Sequence, residues 1–281
     1  MSAFPSPPAP ASLCSVSPGF EAAPAGRGSL GLTVSDGIAR LVLRREETRN
    51  ALSPTLLAEL ERALAWVERA QTVKLLVLQG EGLVFSVGVD LPAVEALPPR
   101  EAWDFFERGR ALIRRLERLN VLTVAAVNGL ALGGGFELAL ACDLRWAHAR
   151  AVFGFPECKL GLVPGWGGIR LIRRHLPSSL ALELLARGDY LGVRAAHAYG
   201  MVSRIFEGSD FENQVQAALE ELGAGNAEVL RSLKTLFQDP LAESWEARYV
   251  AAESAVFQDL WSRRATADRE TGSANPSELR S

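Results

Sequence analysis

The stretch NGLALGGGFELALACD, residues 128–143, decides how this chain folds. A short apolar run, Thr123–Val127, precedes it and reads as a buried strand. Gly133, Gly134 and Gly135 then give a tight turn, and the apolar residues after them read as a helix opening near Gly134. The larger segment Val121–Cys142 is the longest apolar stretch in the chain, long enough to raise the question of a membrane span. Asn128, four glycines and Glu137 interrupt it, which argues against a spanning helix. A strand ending in a glycine turn that opens a helix leaves free N–H groups at the positive end of the helix dipole. Such a place suits an anion or an oxyanion. It is not a dinucleotide fingerprint, since the GxGxxG spacing is absent, and no GxxxxGK[ST] occurs.

Working outward, Leu32–Val34 and Ile38–Leu43 flank Ser35-Asp36-Gly37 and predict a hairpin. Ser53-Pro54 opens a helix with Leu56, Leu57, Leu60, Leu64 and Val67 on one face. Lys74–Gly80 reads as a buried strand, and residues 101–119 as an amphipathic helix with Phe105, Leu112, Leu116 and Leu119 inward. Strand and helix alternate to about residue 206, the pattern of an α/β fold with parallel pairing. Residues 210–263 read as helices only, over Phe211–Leu222, Ala227–Phe237 and Leu241–Trp261. The resulting division is a flexible Pro/Ala-rich leader at 1–28, a core at 29–206, a helical region at 207–265 and a flexible tail at 266–281.

The 281 residues are 48% hydrophobic and 22% charged, which excludes disorder as the overall state. Thirty basic against thirty-three acidic residues give a net charge of −3, so bulk charge favours neither nucleic acid nor anionic lipid. Cys14, Cys142 and Cys158 show no paired spacing and no zinc pattern, which points to reduced thiols and no metal. The leader has neither the charged and apolar regions of a secretory signal nor an arginine-rich presequence pattern, so a cytoplasmic location is expected.

Two acids stand out. Glu137 sits in the first turn of the expected helix, where a carboxylate also serves simply as a partner for the dipole. Glu157 follows Phe153-Gly154-Phe155-Pro156 and precedes a second glycine turn, and by itself it reads equally as an exposed loop acid. If both face one pocket, they can share a water and divide acid and base roles. His148, His175 and His197 are scattered and read as surface or helix residues. Ser86 lacks a GxSxG elbow. Arg170, Arg173 and Arg174 read as a solvated basic face, Asp143 as an anchor for a helix end, and Cys158 as a thiol with no activating partner.

Residues 128–143 resemble the signature of the enoyl-CoA hydratase/isomerase (crotonase) superfamily. Three further blocks match in order: Arg49-Asn50-Ala51-Leu52-Ser53, Phe85-Ser86-Val87-Gly88-Val89-Asp90-Leu91, and Phe153–Glu157 followed by Gly161–Leu171. The resemblance implies a crotonase-like spiral of ββα units with a C-terminal helical trimerisation region, hence a homotrimer or a dimer of trimers (a hexamer). It implies an acyl-CoA thioester as substrate, with an acyl-carrier-protein thioester as the other carrier. No metal or cofactor is implied beyond the coenzyme A of the substrate. By motif position, backbone N–H groups of Val87 and Gly134 would form the oxyanion hole, and Glu137 and Glu157 would be the two catalytic glutamates. Ser86, Val89, Asp90, Gly133, Pro156, Gly165 and Trp166 would surround the substrate. The activity implied is that of a lyase of fatty acid metabolism, a 2-enoyl-CoA hydratase adding water across C2–C3. An enoyl-CoA isomerase, a carboxyacyl-CoA decarboxylase and a non-catalytic binding subunit are the alternatives on the same scaffold. The chain departs from the family pattern at Val87, Val89, Leu83-Val84, Val121-Leu122 and the final segment. Trp166 is bulkier than the usual residue, and reads either as surface packing or as part of a pocket for a short or branched acyl group.

Overall fold

The computed structural model describes residues 28–237 and 252–264. The expected leader and tail lie outside the described residues, apart from Gly28, as do Cys14 and the start of the helix expected from Leu241. Strands β1 (Leu30–Ser35) and β2 (Ile38–Leu43) form the hairpin. Its turn residues Asp36 and Gly37 have φ of 52° and 80°. Both central residues are therefore left-handed, the turn whose twist matches the flanking strands. Helix α1 (Pro54–Arg69) starts as the sequence indicates, with the Ser53 hydroxyl accepting from the Leu56 N–H at 3.2 Å. Strand β3 (Leu75–Gly80), helices α2 (Leu91–Glu95) and α3 (Pro99–Glu117), and strand β4 (Leu122–Val127) follow.

From here the chain winds between two sheets. β4 passes into β5 (Leu130–Leu132) and then helix α4 (Gly134–Ala141). β6 (Leu144–His148) passes into β7 (Val152–Gly154), a 3-10 turn at Pro156–Leu160, and helix α5 (Gly168–Ile172). Each pass leaves one strand in the main sheet and one in the small sheet before a helix, which is a spiral of ββα units. Helix α6 (Ser178–Arg187), β8 (Tyr190–Gly192), α7 (Val193–Ala198) and β9 (Arg204–Phe206) complete it. The main sheet runs β1-β2-β3-β4-β6-β9 and is parallel after its first pair; the small sheet runs β5-β7-β8. All six residues of β3 are buried, as expected for a central parallel strand covered on both faces.

Helices α1, α3 and α4 pack on one face of the main sheet around a single large apolar cluster. The opposite face is covered by α8 (Phe211–Gly223), whose Phe211, Val215 and Leu219 meet Val77, Val124 and Trp146. Helix α9 (Ala227–Phe237) is fastened to the sheet by the buried Lys234, which donates to the Val121 carbonyl at 3.0 Å and pairs with Asp143 at 2.8 Å. Asp143 also accepts from the Thr123 N–H and hydroxyl, both at 2.7 Å, so it anchors α9 to the start of β4. Residues 252–264 form a further helix, α10, whose Phe257 joins the main core. The helices after residue 206 are thus built into the same body as the spiral. No helix among the described residues is long and apolar enough to cross a membrane, and they hold no metal-ligand cluster.

Candidate active site

The site forms where two turns meet at the N-terminus of α4. Gly133 has φ 51° and ψ −127°, a conformation open only to glycine. It lets the Gly133 N–H reach the Gly154 carbonyl at 2.9 Å while the chain reverses into α4. Space is limiting as well: a Cβ on Gly133 would lie 2.7 Å from Glu157 Oε1. On the facing loop, Gly88 approaches so closely that its own Cβ would lie 3.1 Å from the Gly134 nitrogen. Gly134 and Val89 both line the cavity, and among the described residues the amide of neither donates a backbone hydrogen bond. The Val87 amide donates instead to the Arg49 carbonyl at 3.2 Å. The pair of open donors is therefore Val89 and Gly134, which corrects the expectation that Val87 provides one of them.

Two of the residues expected around a substrate serve the loop itself. The buried Ser86 hydroxyl donates to the Asn50 carbonyl at 2.8 Å and accepts from the Gly88 N–H at 3.2 Å. Asp90 caps α2 through the Ala93 N–H and pairs with Arg45 at 3.0 Å. Both hold the segment that aims Val89, and neither lines the cavity. Gly133, Pro156, Gly165 and Trp166 do line it, together with Val89, Glu137 and Glu157.

Glu137 is 2% exposed. Its Oε1 accepts from the amides of Trp166 and Gly168 at 2.8 and 2.7 Å, on either side of Gly167, whose φ is 108°. Burial pushes its pKa up to about 7, against the pull of those two amides and of Arg110 and Arg170. Glu157 comes from the 3-10 turn, and its Oε2 is buried without a hydrogen-bond partner. Burial, and then the charge of Glu137, raise its pKa to about 8. The two expected acids therefore border one cavity and titrate as an interacting pair.

A third acid is present that the sequence reading missed. Glu253 on α10 is 6% exposed, and neither of its carboxylate oxygens has a well-formed hydrogen bond, although the Gly167 N–H faces it. Burial, and next the charge of Glu137, raise its pKa to about 8. Its signal in the sequence is helical spacing, since Glu253, Phe257 and Trp261 recur every four residues on one stripe. Arg110 is also buried, donating to the Gly165 carbonyl at 2.7 Å and pairing with Glu107. Arg170, expected on a solvated face, is buried and paired with Glu117. Two buried arginines thus offset the acids behind the glycine turn at 165–168. Trp166 is buried rather than on the surface of the spiral, and borders the cavity. His175 is only half-buried by exposure, yet burial and the nearby Arg145 and Arg174 depress its pKa to about 3, so it carries no charge at neutral pH. Cys142 is inert, its thiol pushed up to about 12 by burial.

This arrangement offers two open amides beside two buried acids in a largely apolar cavity. It suits a substrate whose carbonyl oxygen gains negative charge while a proton is given and another is taken nearby. Comparison with known proteins agrees. The model of the family described as enoyl-CoA hydratase/isomerase matches residues 33–275. "Enoyl-CoA hydratase domain-containing protein 2, mitochondrial" of Bos taurus is 37% identical over 193 residues, covering 67% of this chain and 65% of that protein. The match thus spans just under two thirds of that relative's length. The crotonyl-CoA hydratase of Syntrophomonas wolfei is 34% identical over 186 residues, covering 66% of this chain and 72% of that protein. The crystal structure of an enoyl-CoA hydratase/isomerase from Xanthobacter autotrophicus Py2 superposes with a TM-score of 0.76 at 27% identity, over 83% of this chain and 87% of that one.

Proposed function

The chain belongs to the enoyl-CoA hydratase/isomerase family, and from that premise we propose that it is a 2-enoyl-CoA hydratase. The observation that carries this reading is the pair of buried carboxyl groups, Glu137 and Glu157, on the cavity that also receives the open amides of Val89 and Gly134. An isomerase needs chiefly one base, whereas hydration uses two groups on one water.

The thioester carbonyl accepts from the Val89 and Gly134 amides. Glu137, whose ionised form the Trp166 and Gly168 amides favour, takes a proton from water as the water oxygen bonds to C3. The π electrons of C2–C3 move towards the carbonyl, giving an enolate whose charge rests on the two amides and the α4 dipole. Glu157, still protonated because Glu137 is charged, gives its proton to C2 as the carbonyl reforms. One proton enters Glu137 and one leaves Glu157, and exchange with solvent after product release restores the starting state. The reaction needs no group beyond the coenzyme A carried by the substrate.

The test is loss of enoyl-thioester absorbance when purified protein meets crotonyl-CoA. Glu137→Gln and Glu157→Gln should each lower kcat by roughly 100- to 10,000-fold. A wild-type protein inactive on enoyl-CoAs, or a Glu137→Gln variant that keeps its rate, would overturn the reading.

A further inference from the structure

The cavity has a volume of about 70 Å³. A dry cavity of about 150 Å³ admits benzene, so half that space holds about three non-hydrogen atoms, which is C2 to C4 of a four-carbon acyl group whose carbonyl carbon stays at the amides. What bounds this space is aromatic and rigidly held. Trp166 lies across α3 at Gly109, where an added Cβ would stand 2.0 Å from its Cε2. Its other edge, Cε3 and Cζ3, stands 3.5 Å from where a Cβ on Gly134 would be. The indole therefore lies between Gly109 of α3 and the turn carrying the open Gly134 amide, beside Leu52. Phe105 packs on its remaining flank, with ring centroids 5.6 Å apart.

Phe257 of α10 forms the neighbouring part of the wall. Its ring is 2.9 Å from the position of a Cβ on Gly165, 4.4 Å from the Phe106 centroid, and stacked on Trp261 at 6.0 Å. Residues from α3, the 165–168 turn and α10 thus interlock, and none has a flexible stem that could withdraw. The wall also lacks a polar handle. The Trp166 Nε1 is buried without a hydrogen-bond partner and lies 2.1 Å from the position of a Cβ on Gly109, so it is turned to the helix rather than to the cavity.

We propose that Trp166, seated against Gly109, and Phe257 close the acyl end of the site, so that the substrate is a short, unsubstituted acyl thioester of about four carbons. This rests on the enoyl-thioester reading above. Trp166 and Phe257 are specificity-determining residues, and Gly109 positions Trp166 by leaving room for its ring. A chain two methylenes longer must displace packed aromatic rings, and one methylene too many is discriminated against by roughly 10- to 200-fold in well-packed pockets.

The experiment measures kcat/KM for the trans-2-enoyl-CoAs of four, six, eight and ten carbons. Alongside it, calorimetry measures binding of the saturated four-, six- and eight-carbon acyl-CoAs, which cannot be hydrated. Wild type should lose at least about ten-fold in kcat/KM from four to six carbons, and binding should weaken in the same order. Trp166→Ala and Phe257→Ala should each move the preference towards six or eight carbons. Gly109→Ala should impair folding or four-carbon activity, and Gly109→Ala combined with Trp166→Ala should recover what the single change lost. Equal use of four and ten carbons by wild type, or two wall variants that keep the wild-type length order, would overturn the proposal. If wild type hydrates none of the thioesters, the hydratase reading fails, while the binding order still decides the length limit. If Trp166→Ala does not fold, Phe257→Ala and the wild-type binding series decide it.

Discussion

The two glycine turns of the site, Gly133–Gly135 and Gly165–Gly168, look alike in sequence and do opposite things with their amides. Each lies ahead of or at the start of a helix, and each contains a glycine with positive φ, Gly133 at 51° and Gly167 at 108°. In the first turn the Gly134 amide stays open towards the cavity. In the second, the Trp166 and Gly168 amides are both bound to Glu137. The difference lies in whether an acid of the protein is already within reach. Glu137, one turn into α4, reaches across to the second turn, which leaves the first free for a ligand. A glycine turn at a helix start is thus a supply of donors, and the surrounding side chains decide who receives them.

The largest effect is expected from Gly133→Ala. Its Cβ would strain the backbone and meet the Glu157 carboxylate, so kcat should fall by about 100-fold through misplacement of the reacting groups. Stability should drop by about 1–3 kcal/mol, read by denaturant unfolding. Next comes Gly168→Ala, whose Cβ would stand 2.9 Å from Glu137 Oε1 and 2.7 Å from Phe155 Cε1. It disturbs the acid without touching the open amides, so kcat should fall by about ten-fold with KM little changed. Losing amides that favour the ionised form should also move the acidic limb of the pH–rate profile upwards. An unchanged limb would mean that the second turn does not govern Glu137.

The pH profile itself sharpens the contrast. Hydration should follow a narrow bell with limbs near about 7 and about 8, values that belong to the interacting pair. In Glu137→Gln the charge that raises Glu157 is gone, so carbon-13 NMR should find the Glu157 carboxyl titrating lower than in wild type. The smallest effect expected is on thermal stability. Glu137, Glu157 and Glu253 all hold protons more tightly folded than unfolded. Their contribution is complete below the ordinary carboxyl value of 4.5 and is lost as the pH rises through about 7 to 8. The melting temperature should therefore fall by on the order of a few degrees between pH 6 and pH 9. Glu253→Gln should make that slope shallower.

Much of the fold is legible in the sequence because its signals are local. Asp36-Gly37 specifies a left-handed two-residue turn, Ser53-Pro54 a helix start, and Gly133–Gly135 a strand-to-helix reversal. The two acids can be picked out because each follows or opens a glycine turn. The open amide of Val89 cannot, because only the direction of each N–H, set by bonds to Arg49 and, through Ser86, to Asn50 far along the chain, separates it from Val87. Arg170 and Glu253 escape for a related reason. Arg170 is buried through its pairing with Glu117, which no local spacing announces, and the stripe of Glu253, Phe257 and Trp261 marks one face of a helix without saying what covers it.

The position of α10 in the chain also orders events during synthesis. The last strand of the main sheet ends at Phe206, and Glu137, Glu157 and the open amides all come before it, whereas Glu253 comes after. Phe257, which completes the wall of the cavity, emerges from the ribosome some fifty residues after that strand, roughly 3–10 s later at ordinary translation rates. Until then the nascent chain holds Glu137, Glu157 and the open amides of the site but not the α10 residues, Glu253 and Phe257, that pack against it. The wall of the cavity is therefore the last part of the site to be synthesised, and because Phe257 also belongs to the main core, closing the cavity and completing the core are one event.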